Sequence, residues 1–348
     1  MHRLLPALTW LTLAACSGWR DSAGSRRDLD PESGPPAELV VRNETRERKD
    51  FGRQMRDLLN AGQYDSLDRI AHTLRQQQVR WPNGYWKLRS FYVYGFDGPA
   101  HEESETEWKA YLSNLRTWVA TRPNSVTARV ALGNSLVGYA WHARSDGWAQ
   151  DVSDAGWRLF KIRLSEADSV LRTSQRVPER CPGMPAALQR VALGQNWDSN
   201  RYDSLFNAAI EAEPGYDSYY ELKAHSLLPR WGGRRGEWER FAEEAADHLG
   251  GPAGDVVYAR IVWSLEEYYD NMFKETRASW DRTSRGYQEL LRIYPHSLEL
   301  QSQYAKLATQ AESRGEVRLM FDRMGPRVDP AVWRTRDYFV AVRDWATQ

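Results

Sequence analysis

The chain has only two cysteines in 348 residues. One of them, Cys16, stands near the start, which leaves Cys181 as the lone thiol of any folded domain. If Cys16 is modified, no intramolecular disulfide can form, and stability must come from a core. Charge of one sign is also missing. The 47 basic and 47 acidic side chains cancel, so no net field points to nucleic acid. Beyond the first residues no apolar run approaches ~18 residues, so no transmembrane helix is expected. The alternation of apolar and polar residues that marks strands is scarce. Histidines 72, 101, 142, 225, 248 and 296 show none of the close spacings that put two ligands on one helix face, so no metal is implied. There is no P-loop and no glycine-rich dinucleotide fingerprint, and no cofactor is expected. The stretch GNSLVG, Gly133 to Gly138, is one residue too long for a nucleophile elbow and lies in a helical pattern, so Ser135 reads as a packing residue.

What is present begins with MHRLLPALTWLTLAAC. His2 and Arg3 form a short basic region, and Leu4 to Leu13 an uncharged apolar one. That stretch is too short to span a bilayer, which takes ~20 residues. It has the layout of a secretory signal. Leu13-Ala14-Ala15-Cys16 resembles the bacterial lipoprotein lipobox; an ordinary signal peptide is the alternative. The resemblance implies that residues 1–15 are removed, that Cys16 carries the lipid (palmitate among its acyl chains), and that several acyl chains anchor the protein. In Gram-negative lipoproteins a serine in the next position, here Ser17, favours the outer membrane. Residues 16–46 are rich in Ser, Gly, Pro and mixed charge and read as a flexible tether. Residues 47–348 read as the folded domain.

Within that domain the periodicity is helical. Trp108, Tyr111, Leu112, Leu115, Trp118 and Val119 fall on one face of a helix that Pro123 stops. Trp238, Phe241, Ala242, Ala245, Ala246 and Leu249 mark another, ended by Gly250-Gly251. The fold class expected is all-α, with about a dozen helices. Three segments share a helix–Pro–helix form around Pro123, Pro214 and Pro295. Each has a large residue eight before the proline (Leu115, Phe206, Tyr287), an apolar one five before (Trp118, Ala209, Leu290) and a small one ten after (Gly133, Ala224, Ala305). This resembles the tetratricopeptide repeat, so an irregular α-solenoid of that kind is expected. The prolines do not follow the ~34-residue period of a regular array.

Residues 219–251, YYELKAHSLLPRWGGRRGEWERFAEEAADHLGG, with YARIVW and SRGYQELLRIYP, resemble an uncharacterised bacterial family, the domain of unknown function numbered 4034, over about 60–345. The family has no assigned activity, so the resemblance implies a helical fold and no catalytic residue. In the same stretch paired glycines and arginines interrupt clean helical patterning. Arg230, Trp231, Arg234, Arg235 and Trp238 are the candidate binding residues, because exposed loops on rigid scaffolds carry binding and Arg and Trp dominate interface energies. A simple turn between helices is the competing reading. Glu266 and Glu267 beside Tyr268 and Tyr269 offer carboxylates next to stacking surfaces. Trp141, Trp148, Trp231 and Trp280 lie off the helical pattern, either packing or lining a groove.

Two functions are therefore expected in competition. One is a lipid-anchored envelope protein, on the outer membrane facing the periplasm, whose helical repeats bind a protein partner. The other is an envelope glycan-binding protein or hydrolase with an aromatic-rich groove. The absence of a convergent catalytic motif favours the first.

Overall fold

The computed structural model describes residues 39–99, 104–144 and 151–348. The leader, Cys16, most of the tether and Trp148 lie outside the described residues. The protein is all-α, with seventeen α-helices among the described residues and a single two-stranded sheet. Two of them, Met272–Glu275 and Pro330–Trp333, are a single turn.

The strand β1 (Val40–Val41) leads into α1 (Glu44–Asn60) and α2 (Tyr64–Gln76). Then come α3 (Lys87–Gly95), α4 (Glu105–Thr121), α5 (Val126–Arg144) and α6 (Asp154–Thr173). The middle holds α7 (Gly183–Gly194), α8 (Ser199–Ala212), α9 (Ser218–Ser226), α10 (Glu237–Leu249) and α11 (Gly251–Ser264). After the short α12 (Met272–Glu275) follow α13 (Trp280–Ile293), α14 (Leu298–Gln310) and α15 (Arg314–Met324). The chain closes with β2 (Arg327–Val328), α16 (Pro330–Trp333) and α17 (Arg336–Thr347).

The three proline corners fall where the sequence placed them, between α4 and α5, α8 and α9, and α13 and α14. Side-chain caps start the helices on either side. Ser104 and Glu107 form a reciprocal capping box on α4, and Ser297 accepts from the backbone of Leu300 on α14. Leu115, Trp118, Phe206, Ala209, Tyr287 and Leu290 are all buried.

Packing runs between neighbours and between next neighbours. Helices α1, α3, α5, α7, α9, α11 and α13 touch in series, while α2, α4, α6, α8 and α10 lie against them as a second row. The second row is amphipathic, as sequence periodicity demands. Helices α5, α9 and α14 are instead buried around most of their circumference, so both sides of each are covered. The three small residues serve this. A Cβ on Gly133 would stand 2.5 Å from Leu171 of α6. Asn134 and Ser135 donate to the carbonyls of Tyr92 and Phe96 (2.7–3.1 Å), pairing the buried carboxyl end of α3. Ser135 is thus a packing residue, as expected.

A hairpin between α2 and α3 packs against α9 and α11. Arg80 bridges Trp86 and Gly84 turns the chain with φ +85. Its side chains reach far along the sequence. Trp86 Nε1 donates to Gly215 O at 2.8 Å, and Tyr85 OH donates to Glu221 Oε1 at 2.7 Å. Arg260 donates to Asn83 O and lies over the Tyr85 ring at 3.9 Å. Arg89 closes an ion pair with Glu221 at 2.7 Å. Desolvation pushes the Glu221 carboxyl up, and the Arg89 guanidinium and the Tyr85 hydroxyl draw it back.

The folded body reaches back to Val40, past the expected tether boundary at 46. Val40 and Val41 pair in parallel with Arg327 and Val328. Glu44 then accepts from the Leu298 backbone and the Ser297 hydroxyl, capping α14 from a distance. These contacts are long-range, so the local composition of the segment does not reveal them. No described helix is long and apolar enough to cross a membrane.

Candidate functional site

Segment 227–238 joins α9 to α10 by a tight path. Pro229 opens a 3-10 turn through Trp231, and Gly232 closes it in the left-handed region at φ +90. At Gly233 any side chain is excluded, because a Cβ would stand 1.9 Å from Leu227 O. The two glycines are thus required by the turn. Arg234 N then donates to Glu237 Oε2 at 2.6 Å, holding the entry to α10.

This path sends the candidate residues in different directions. Arg234 and Arg235 are exposed at the tip. Neither pairs with a carboxylate among the described residues. Arg230 lies over the Tyr268 ring at 4.5 Å. Trp231 is half-buried, edge-on to Trp141 at 5.9 Å and tilted against His225 at 5.7 Å. Trp238 must be withdrawn from the binding surface. It is 1% exposed, and its Nε1 donates to Tyr269 OH at 3.0 Å. Its place in the helical pattern of α10, on the face with Ala242 and Ala246, explains why it points inward.

The structure also joins two stretches the sequence kept apart. The 3-10 turn Glu266–Tyr268, after α11, meets the 229–231 turn through Arg230 and Tyr268. His225 links them from α9, its Nε2 lying 3.1 Å from Tyr268 OH. Burial pulls the His225 imidazole down to about 4, so it is neutral at neutral pH. Tyr268 also hydrogen-bonds the Glu267 carboxylate, so its hydroxyl links His225 to Glu267. Nδ1 of His225 and Nε1 of Trp231 are both buried without a hydrogen-bond partner among the described residues. Two adjacent rings thus carry buried nitrogens without a partner among the described residues, an arrangement that the polar groups of a ligand would satisfy.

The neighbouring carboxylate is not available for chemistry. Glu266 is 6% exposed and accepts from Lys306 Nζ at 2.8 Å and Gln310 Nε2 at 2.7 Å. Of the off-pattern tryptophans, Trp280 packs between Phe273 and Tyr304. Trp141 packs on Phe160 and meets Trp231. No group of three potential metal ligands occurs among the described residues. Sequence reasoning passed over His225, because its partners lie on the 229–231 turn and the 266–268 turn; no spacing in the sequence signals that meeting.

The sequence profile of one family, described as a domain of unknown function (DUF4034), matches residues 52–176. That span runs from α1 to the turn after α6. It covers neither the 219–251 segment, on which the resemblance was read, nor the site around Trp231. No curated protein and no solved structure matches the chain significantly.

Proposed function

We propose that the protein is a lipid-anchored bacterial envelope protein whose helical-repeat domain serves as a protein-binding scaffold. The lipobox-like Leu13-Ala14-Ala15-Cys16 supports the anchor, and Ser17 supports an outer-membrane position facing the periplasm. The helix–Pro–helix corners and the serial packing of alternate helices support a tetratricopeptide-like lineage. One observation carries the binding reading: Arg230, Trp231 and His225 form a cluster with two buried ring nitrogens that have no partner among the described residues, beside the exposed Arg234 and Arg235. Binding by this face relies on the tip of the 227–238 loop.

A glycan-binding protein or hydrolase is the alternative. A glycosidase needs two carboxylates facing one space, and Glu266 is committed to Lys306 and Gln310. The deciding experiment is crosslinking and pull-down of the lipidated protein from its own membranes, with and without Arg234→Ala/Arg235→Ala. The scaffold reading expects a co-purifying protein that the double variant loses at unchanged melting temperature. Unchanged recovery removes these arginines from the site, and the absence of any partner overturns the scaffold reading.

A further inference from the structure

Far from Trp231 in the sequence, α13, α14 and α15 enclose an open groove. Two adjoining hollows of about 530 and 470 Å3 share Leu291, Arg292 and Arg323. The floor is apolar, with Leu291, Tyr304 and Met320 all buried. One wall is Leu319, a leucine left 47% exposed. Gly315 adds width, because nothing stands within 4 Å of the place its Cβ would take.

The rim is basic. Arg292 is held by Glu289 in a two-point pair at 2.7 and 2.8 Å. Arg323 is exposed and its side chain has no acidic partner among the described residues. Arg327, which lines the second hollow, donates Nε to Met324 O and Nη2 to Arg323 O, which fixes its guanidinium and leaves Nη1 without a hydrogen-bond partner among the described residues. His296 lines the same hollow. At its floor Gln301, 3% exposed, donates Nε2 to Pro295 O at 2.8 Å and leaves Oε1 without a donor. Among the described residues the only carboxylate lining either hollow is Glu316, which is engaged with the Ser313 hydroxyl.

An exposed leucine, guanidinium groups in need of acceptors and an acceptor in need of a donor are complementary to one kind of ligand. We propose that this groove binds an acidic, leucine-containing peptide segment of a partner protein. Its carboxylates would pair with Arg323 and Arg327, a backbone N–H would reach Gln301, and its aliphatic side chain would cover Leu319. The inference extends the scaffold reading to a second surface, and its test does not depend on Trp231 or on Cys16.

The test is fluorescence anisotropy with the full-length chain in detergent and a panel of fluorescein-labelled octapeptides combining Glu and Leu in all orders. The expected result is saturable binding by members of the panel that weakens with added salt. Arg323→Glu should weaken it at least ~10-fold, as one lost charge-assisted contact implies. Leu319→Asp should do the same, and both substitutions are at exposed positions where folding can be verified by an unchanged melting temperature. Peptides with Lys in place of Glu should not bind. Failure of the whole panel, equal binding of the Lys peptides, or an Arg323→Glu affinity within about twofold of the parent overturns the proposal. Binding that appears only after deletion of residues 17–38 also overturns it, by making the chain's own mixed-charge tether the occupant.

Discussion

Arg48 of α1 grips Glu299 of α14 in a two-point ion pair, at 2.6 and 3.1 Å, across 251 positions of the chain. Both side chains are almost wholly buried. Together with Glu44 at the start of α14 and the β1–β2 pairing, the pair fastens the first helix to the last third of the protein. A buried pair adds little over an apolar one, but removing one partner strands the other charge. Arg48→Met should therefore cost about 3–5 kcal/mol in urea denaturation. Arg48→Met/Glu299→Met should recover much of that loss. A single variant within about 1 kcal/mol of the parent would show that this closure contributes little.

Asp329 sits beside this lock. It is fully buried, with Oδ2 unpaired, and burial together with the nearby Glu299 and Glu44 pushes its carboxyl up to about 7, from an ordinary 3.8. Between those values the folded state keeps a proton that the unfolded state releases, so stability falls as pH rises through the window. His225 acts in the other sense. Its value near 4, against an ordinary 6.5, means stability falls as pH drops below 6.5. The two slopes oppose each other between about 4 and 6.5. Asp329→Asn retains an oxygen to accept from Ala331 N, the bond Asp329 now makes at 2.9 Å. At pH 8 the Asn variant should be more stable than the parent by about 2–4 kcal/mol, and the advantage should vanish near pH 4. Urea melts across that range check it; equal stabilities at pH 8 would contradict the assignment.

Trp238 should behave oppositely to the exposed arginines of the 227–238 segment. Trp238 fills the core between α10 and Tyr269, so Trp238→Ala should cost about 3–5 kcal/mol. Arg234→Ala/Arg235→Ala should change stability by less than about 0.5 kcal/mol. Thermal denaturation of the two variants measures this. A severe loss from the arginine pair would mean that the tip has structural partners.

Glycines on helices give a matched pair of tests. A Cβ on Gly138 of α5 would stand 2.0 Å from Asp97 O, so Gly138→Ala should cost about 1–3 kcal/mol through overpacking. Gly315 has open space around it and lies in the first turn of α15. Gly315→Ala should be neutral or stabilising by up to about 1 kcal/mol. Parallel melting curves decide; a Gly138→Ala variant as stable as the parent would refute the close approach of α5 to the end of α3.

Cys16→Ala should abolish acylation and leave the precursor uncleaved or mislocalised, because no other residue of the lipobox-like stretch carries a thiol. Metabolic labelling with a fatty-acid analogue reads this directly. Label persisting on the Ala variant would end the lipoprotein reading.

Helix periodicity, the proline corners and the inward side of each amphipathic helix were legible in the sequence, because each depends on residues within a few positions of one another. Trp118, Tyr287 and Leu290 take their buried places for that reason. The sequence also located the loop of Arg230 and Trp231, since paired glycines break a helix wherever they occur. It misjudged Trp238 by reading it with the loop, although its own spacing assigns it to the buried face of α10. What only the tertiary structure decided was partnership. Arg48 with Glu299, Tyr85 with Glu221 and Arg230 with Tyr268 are meetings of distant segments. The 80–86 hairpin is held by the same kind of contact. No local pattern encodes such pairs, because their geometry is set by how many helices lie between them and how each one packs on the next.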